Sequence, residues 1–195
     1  MTPAASKAAL ASQLQKAEKD LEKMKNKVLK LRRKISGEQV EDHPLRDKGG
    51  ETVRLSSLFG NNDDLIVVHN MGKHCRWCTL WADGLNGLYD HLASRASFVV
   101  VSNDPHDVMK KFAEGRNWRF KILSGAGSPF SKAMGYMHDD GSPQPGVSTF
   151  HRDKDGTIRR VAHTWFGPGD DFCAVWPIFD MLQDGVNGWE PQYQY

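Results

Sequence analysis

An α/β domain preceded by a long charged helix is the fold class this sequence predicts, on three observations. Short apolar runs rich in Val alternate with amphipathic segments between residues 50 and 182. A hairpin signal stands near the end of that alternation, and a helix with heptad spacing stands before it. Buried strands alternating with helical segments and followed by a hairpin indicate a mixed sheet flanked by helices. A chain of 195 residues suffices for one domain with a real core and one appended element.

The helix comes first. Leu10, Leu14, Ala17, Leu21, Met24, Val28, Leu31 and Ile35 are spaced 4-3-4-3-4-3-4, a seam of 3.5-residue period. Lys, Glu and Gln fill most other positions, and Ser36-Gly37 supplies the stop. The spacing predicts a helix over about residues 6–35. Its seam must be covered by its own domain or by a second copy; both stay open, with a homodimer preferred. Lys23 to Lys34 holds seven Lys/Arg and no acid; a solvated helix face accounts for this better than nucleic-acid binding. Net charge is +5 over residues 1–48 and −3 over the remainder. That split sets the expected division: 1–48 as helical arm and linker, 49–195 as the domain.

Within the domain, Thr52–Leu55 reads as a short strand running into a turn, and Leu65–Met71 as a buried strand. Cys78, Trp81, Leu85, Leu88 and Leu92 form a helical stripe, weakened by Gly84 and Gly87 at about 1 kcal/mol each. Ser97–Asn103 is a second buried strand, and Pro105 precedes a helix over 106–115. Trp118–Leu123 alternates as a strand does, and 128–136 is a candidate short helix. Gly146–Arg152 and Thr157–His163 flank Asp153-Lys154-Asp155-Gly156, a hairpin. Val175, Trp176, Phe179 and Leu182 mark a last helix, with Pro177 in its first turn.

Cys75-Arg76-Trp77-Cys78 falls between the first buried strand and the helix after it. Two thiols at i and i+3 in a first helical turn are close enough to form a small disulfide ring. The unpaired N–H groups and positive dipole end of that turn stabilise a thiolate, the attacking species in disulfide exchange. Cys75 is the candidate nucleophile and Cys78 the resolving thiol, with Lys73, His74 and Arg76 adding positive charge nearby. Trp77, between the cysteines, is the candidate for substrate contact. A structural zinc would need four ligands, and without a second Cys pair His69, His74 or His163 would have to complete it. Cys173 reads as a buried small hydrophobe, Asp83 as a surface carboxylate or a proton acceptor, and His151 and His163 as ordinary strand histidines. No motif calls for a metal, nucleotide or flavin cofactor. Apolar runs reach about four residues, too few to cross a membrane. With no apolar leader and only three cysteines, a cytoplasmic location is the expectation.

The order β-α-β-α-β-β-α with a C-x-x-C at the first strand-to-helix junction resembles the thioredoxin fold. Longer words narrow the resemblance. Cys75–Gly87, Trp118-Arg119-Phe120 with Ser124–Ser128, Leu55–Phe59 and the closing Trp189-Glu190-Pro191-Gln192-Tyr193 are similar to bacterial thioredoxin-like proteins of domain-of-unknown-function family 899. The resemblance implies a mixed sheet flanked by helices, with strand 65–71 parallel to 97–103 and antiparallel to the 147–163 hairpin. It also implies dithiol–disulfide exchange through Cys75 and Cys78 with a small-molecule or protein disulfide or thiol as partner. Thioredoxins carry a cis-proline facing the active site; register places Val147 there, in a trans peptide, as a second substrate-contact candidate. Two other functions stand beside this one. One is a non-catalytic thioredoxin-like binding or redox-sensing module. The other is a thiol peroxidase, since peroxiredoxins share the fold; their pattern places Thr three and Pro seven residues before the reactive Cys, where this chain has Gly72 and Val68.

Overall fold

A computed structural model describes residues 3–35 and 37–195, which divide into two compact units, Met1–Ser36 and Gly37–Tyr195. The first is a single helix, α1, spanning Pro3–Ile35. Ala, Leu, Lys, Glu and Gln, all strong helix formers, dominate it. Arg32, Arg33 and Lys34 occupy its last turn, where positive charge complements the dipole. Nothing within this unit covers the seam residues.

The second unit is built on one eight-stranded sheet, ordered β1-β8-β7-β4-β5-β6-β2-β3. Its centre is β4 (Asp64–Asn70), parallel to β5 (Ser97–Ser102) and antiparallel to β7 (Gly146–Arg152). β5 runs parallel to β6 (Lys121–Ser124), and β7 continues through the Asp153–Gly156 turn into β8 (Ile158–Trp165). This is the thioredoxin-like α/β arrangement expected from the sequence. The unbroken apolar runs in β4 and β5 follow from burial on both faces. Leu65, Val67, Val99 and Val101 face one cluster with Phe59, Phe130 and Tyr136. Val68, Phe98 and Val100 face another with Trp81, Met109, Trp118 and Trp176.

Several elements differ from the sequence reading. Residues 37–48 are not a linker: β1 (Glu38–Gln39) pairs with β8, while β2 (Pro44–Arg46) pairs with β6 and with β3 (Thr52–Arg54). Both sheet edges are thereby extended by segments too short to show a period. The stripe from Cys78 to Leu92 is two helices, α2 (Arg76–Gly87) and α3 (Tyr89–Arg95), broken after Gly87. No heavy atom would crowd a Cβ at Gly84 or Gly87, so close packing does not explain either glycine. α4 (His106–Gly115) matches its predicted span, whereas α5 shrinks to Phe130–Ala133 and α6 to Val175–Phe179, leaving Leu182 outside and exposed. Strand β6 starts only at Lys121; Trp118 and Phe120 before it are core residues instead.

Candidate functional site

The loop between β4 and α2 is closed by its own polar groups. Asn70 Oδ1 accepts the Gly72 N–H at 2.8 Å, and the Gly72 carbonyl accepts the Cys75 N–H at 3.1 Å. Asp104, from the loop after β5, accepts the Lys73 N–H at 2.6 Å. Gly72 has φ of +124°, and a Cβ there would stand 2.8 Å from an Asp104 carboxylate oxygen. A side chain here would strain the backbone and push the Asp104 carboxylate out of place.

This loop delivers Cys75 to the N-cap of α2, with extended backbone (φ −90°, ψ 98°). Its Sγ takes the place of the usual capping oxygen, accepting the Cys78 N–H at 3.0 Å. Its carbonyl accepts both the Thr79 N–H, at 3.0 Å, and the Thr79 hydroxyl, at 3.1 Å. Hydrogen bonding from the Cys78 thiol, with help from the Cys78 and Trp77 N–H groups, outweighs burial and brings the Cys75 thiol from 9.0 down to about 7. Cys78 moves the other way. Its proton is engaged by Cys75, it is buried, and a charge on Cys75 opposes a second one beside it, so its thiol is pushed well up. Both thiols are free. One half-exposed thiol ionises near neutrality while the other stays protonated one helical turn away.

Trp77 is half-buried, its ring 5.6 Å from Trp176 and 6.3 Å from Trp189. Phe179 adds an edge contact to Trp189 at 4.9 Å. The closing segment is tied to the same helix and to α4. Glu190 pairs with Arg76, and the Tyr193 carbonyl accepts from Arg116 at 3.0 Å. Arg76 is therefore matched by a carboxylate. Sequence reading singled out the words that make this strap but gave it no role, because its partners lie about a hundred residues away.

Val147 lies opposite Val68 in β4 and Thr164 in β8. Among the described residues no peptide bond is cis, so its trans conformation is as expected. Its side chain packs against the cluster that also receives Trp77. Its carbonyl accepts the Tyr136 hydroxyl at 2.8 Å, an anchor the sequence did not reveal. Asp83 is not a free surface carboxylate. It accepts from Arg116 through both oxygens and from the Trp118 indole at 2.7 Å. Cys173 is buried in the aromatic cluster. His151 pairs with Asp64 at 2.8 Å, at the opposite end of β4 from the cysteine loop. Among the described residues, no group of three or more His, Cys, Asp or Glu is placed to hold a metal ion. None of the described helices is long and apolar enough to cross a membrane.

Comparison with known proteins places this geometry in a family. Residues 3–194 match the family model described as "Bacterial protein of unknown function (DUF899)", and the chain belongs to that family. It is 28% identical over 125 residues to the chloroplastic peroxiredoxin Q of Sedum lineare, covering 64% of this chain and 66% of that protein. With the chloroplastic peroxiredoxin Q of Oryza sativa subsp. japonica it shares 24% over 147 residues, 75% of this chain and 67% of that one. The chain thus spans about two thirds of the length of these relatives. Among solved structures, peroxidoxin BcpB from Mycobacterium tuberculosis superimposes with a TM-score of 0.54 at 28% identity, covering 67% of this chain and 84% of that chain. A peroxiredoxin-like protein from Aquifex aeolicus has the same TM-score at 15% identity, over 67% and 75% of the two chains, a likeness of fold alone.

Proposed function

We propose that this protein is a two-cysteine thiol peroxidase in which Cys75 is the peroxide-reactive thiol and Cys78 resolves it. The observation that carries the reading is the opposed ionisation of the two thiols: Cys75 at about 7 and capping α2, Cys78 buried and protonated. The Cys75 thiolate attacks the distal oxygen of a hydroperoxide. The O–O bond breaks, Cys75 becomes a sulfenic acid, and the departing alkoxide or hydroxide takes a proton from water. Cys78 then supplies its thiol to the sulfenic sulfur, releasing water and leaving a Cys75–Cys78 disulfide. An external dithiol reduces that disulfide through a mixed disulfide at Cys75 and returns both thiols. Similarity to peroxiredoxin Q proteins and to a mycobacterial peroxidoxin supports the peroxide half of the cycle.

Disulfide exchange without peroxide is the second reading, favoured by the C-x-x-C spacing itself. It shares the returning half of the cycle, so one experiment separates the two. Reduced protein is mixed with one equivalent of hydrogen peroxide, and thiols are counted with intact mass. A peroxidase loses two thiols per peroxide and gains a Cys75–Cys78 bridge. Cys78→Ser stops at a Cys75 sulfenic acid that dimedone captures, and Cys75→Ser consumes none. Peroxide consumption no faster than by free dithiothreitol, beside rapid exchange with oxidised glutathione, would replace this reading by the second. Trp77 and Val147 are assigned to the approach to Cys75 in either case, because both pack into the aromatic cluster beside α2.

A further inference from the structure

We infer that α1 pairs with α1 of a second copy of this chain, and that the two helices run antiparallel. The seam extends from Leu10 to Ile35, more than three heptads, which is enough to hold a two-stranded coiled coil. Leu10 and Leu14 are each 61% exposed, Leu21 and Met24 56%, and Ile35 77%. A continuous apolar row of this length that its own helix leaves uncovered marks an association surface. What covers it follows from the residues within and beside it.

With Leu14 at heptad position a, Leu10, Ala17, Met24 and Leu31 fall at d, and Leu21, Val28 and Ile35 at a. Antiparallel pairing brings each a residue onto a d residue of the other copy. One register uses the whole seam: Leu10 on Ile35, Leu14 on Leu31, Ala17 on Val28 and Leu21 on Met24, each layer occurring twice. The small Ala17 thus meets a larger side chain. In a parallel pair it would meet another Ala17, leaving a thin layer in the middle of the interface.

Charges flanking the seam choose the same direction. The g positions are Gln13, Asp20, Lys27 and Lys34, and the e positions are Ala11, Glu18, Lys25 and Arg32. In antiparallel helices g faces g and e faces e. The Asp20–Lys27 and Glu18–Lys25 contacts then each occur twice, both attractive, with no like-charged pair among the facing positions. In parallel helices g faces the e residue five positions later on the other copy. Asp20 then meets Lys25, but Lys27 meets Arg32, so two attractions are opposed by two repulsions. The helix dipoles also attract only when antiparallel. An anionic surface, lipid or nucleic acid, would suit the basic stretch from Lys23 to Lys34. It would not suit the half of the seam beside Glu18, Asp20 and Glu22.

Sedimentation equilibrium of the full chain tests this, with the pH profile of Cys75 alkylation as a check that the 37–195 unit is unchanged. Wild type should be a dimer and Leu21→Glu a monomer. Lys27→Glu carries the directional information because its effect has opposite signs. It turns two attractions into repulsions in the antiparallel pair but removes two repulsions from the parallel one. The dimer should weaken about tenfold, at a few tenths of a kcal/mol for each pair gained or lost, and adding Asp20→Lys should restore most of that loss. Tighter association of Lys27→Glu would overturn the antiparallel direction. A monomeric wild type, a larger assembly, or a dimer indifferent to Leu21→Glu would overturn the pairing. So would a monomeric wild type that cosediments with phosphatidylglycerol vesicles or with polyuridylate, which would give this face to an anionic surface.

Discussion

Replacing Cys78 by Ala should raise the Cys75 pKa, because the Cys78 thiol is the largest of the groups that lower it. The magnitude in the wild type can be worked through. A thiol at about 7 rather than 9.0 is about half ionised at pH 7 instead of about one part in a hundred, a gain of about fiftyfold in thiolate. Lower basicity also lowers intrinsic nucleophilicity. With a Brønsted slope of about 0.4–0.5, two units cost about six- to tenfold. Cys75 should therefore react with iodoacetamide about five to eight times faster at pH 7 than a thiol titrating at 9.0. Above about pH 8 the order should invert, because Cys75 is then almost fully ionised while the thiolate fraction of the more basic, more nucleophilic sulfur keeps rising. The assay is peptide-resolved alkylation against pH, in which buried Cys78 and Cys173 should remain unmodified. In Cys78→Ala the midpoint should move upward by a measurable fraction of that shift; in Cys78→Ser, which keeps an O–H donor, it should move less. A wild-type midpoint near 9, or equal midpoints in all three proteins, would refute the assignment of Cys78 as the group that activates Cys75.

Two further outcomes follow from the surroundings of the pair. Val147→Ala should widen the apolar approach beside Trp77, raising the rate with a bulky hydroperoxide or disulfide a fewfold relative to hydrogen peroxide or cystine, at a stability cost of about 1–2 kcal/mol; unchanged relative rates would remove Val147 from the approach. Asp83→Asn keeps the shape but weakens the Arg116 and Trp118 bonds, so it should lower stability by about 1–3 kcal/mol, read as a midpoint shift in urea. Its Cys75 alkylation profile should match wild type; a displaced profile would make Asp83 part of the proton path instead.

What the sequence made legible was short-range. β4 and β5 could be read because both faces of each are buried, so Leu65–Val68 and Phe98–Val101 are unbroken apolar runs. The Asp153–Gly156 turn and the C-x-x-C at the head of α2 are equally local. What escaped depends on partners far along the chain. Glu38-Gln39 is a strand only because Arg159 and Arg160 lie beside it. Glu190 and Arg76 are 114 residues apart, and Asp83 and Arg116 are 33 apart. Nothing within a window of ten residues announces such pairs.

Gly72 shows how a local reading can be correct in its letter and incomplete in its cause. It stands where a peroxiredoxin pattern counted from Cys75 would put Thr, a departure that counts against peroxide chemistry. The structure gives that departure a physical origin: the positive φ strains any side chain at this position, and one placed there would displace the Asp104 carboxylate. The same carboxylate fixes the loop by accepting the Lys73 N–H, and the loop in turn sets Cys75 at the N-cap with Sγ on the Cys78 N–H. The constraint that removes the hydroxyl is therefore part of what positions the thiolate. If peroxide is the substrate, its developing oxyanion must be met by N–H donors at the start of α2 rather than by a threonine. The Trp77 and Cys78 N–H groups that lower the Cys75 pKa are the donors this chain offers there.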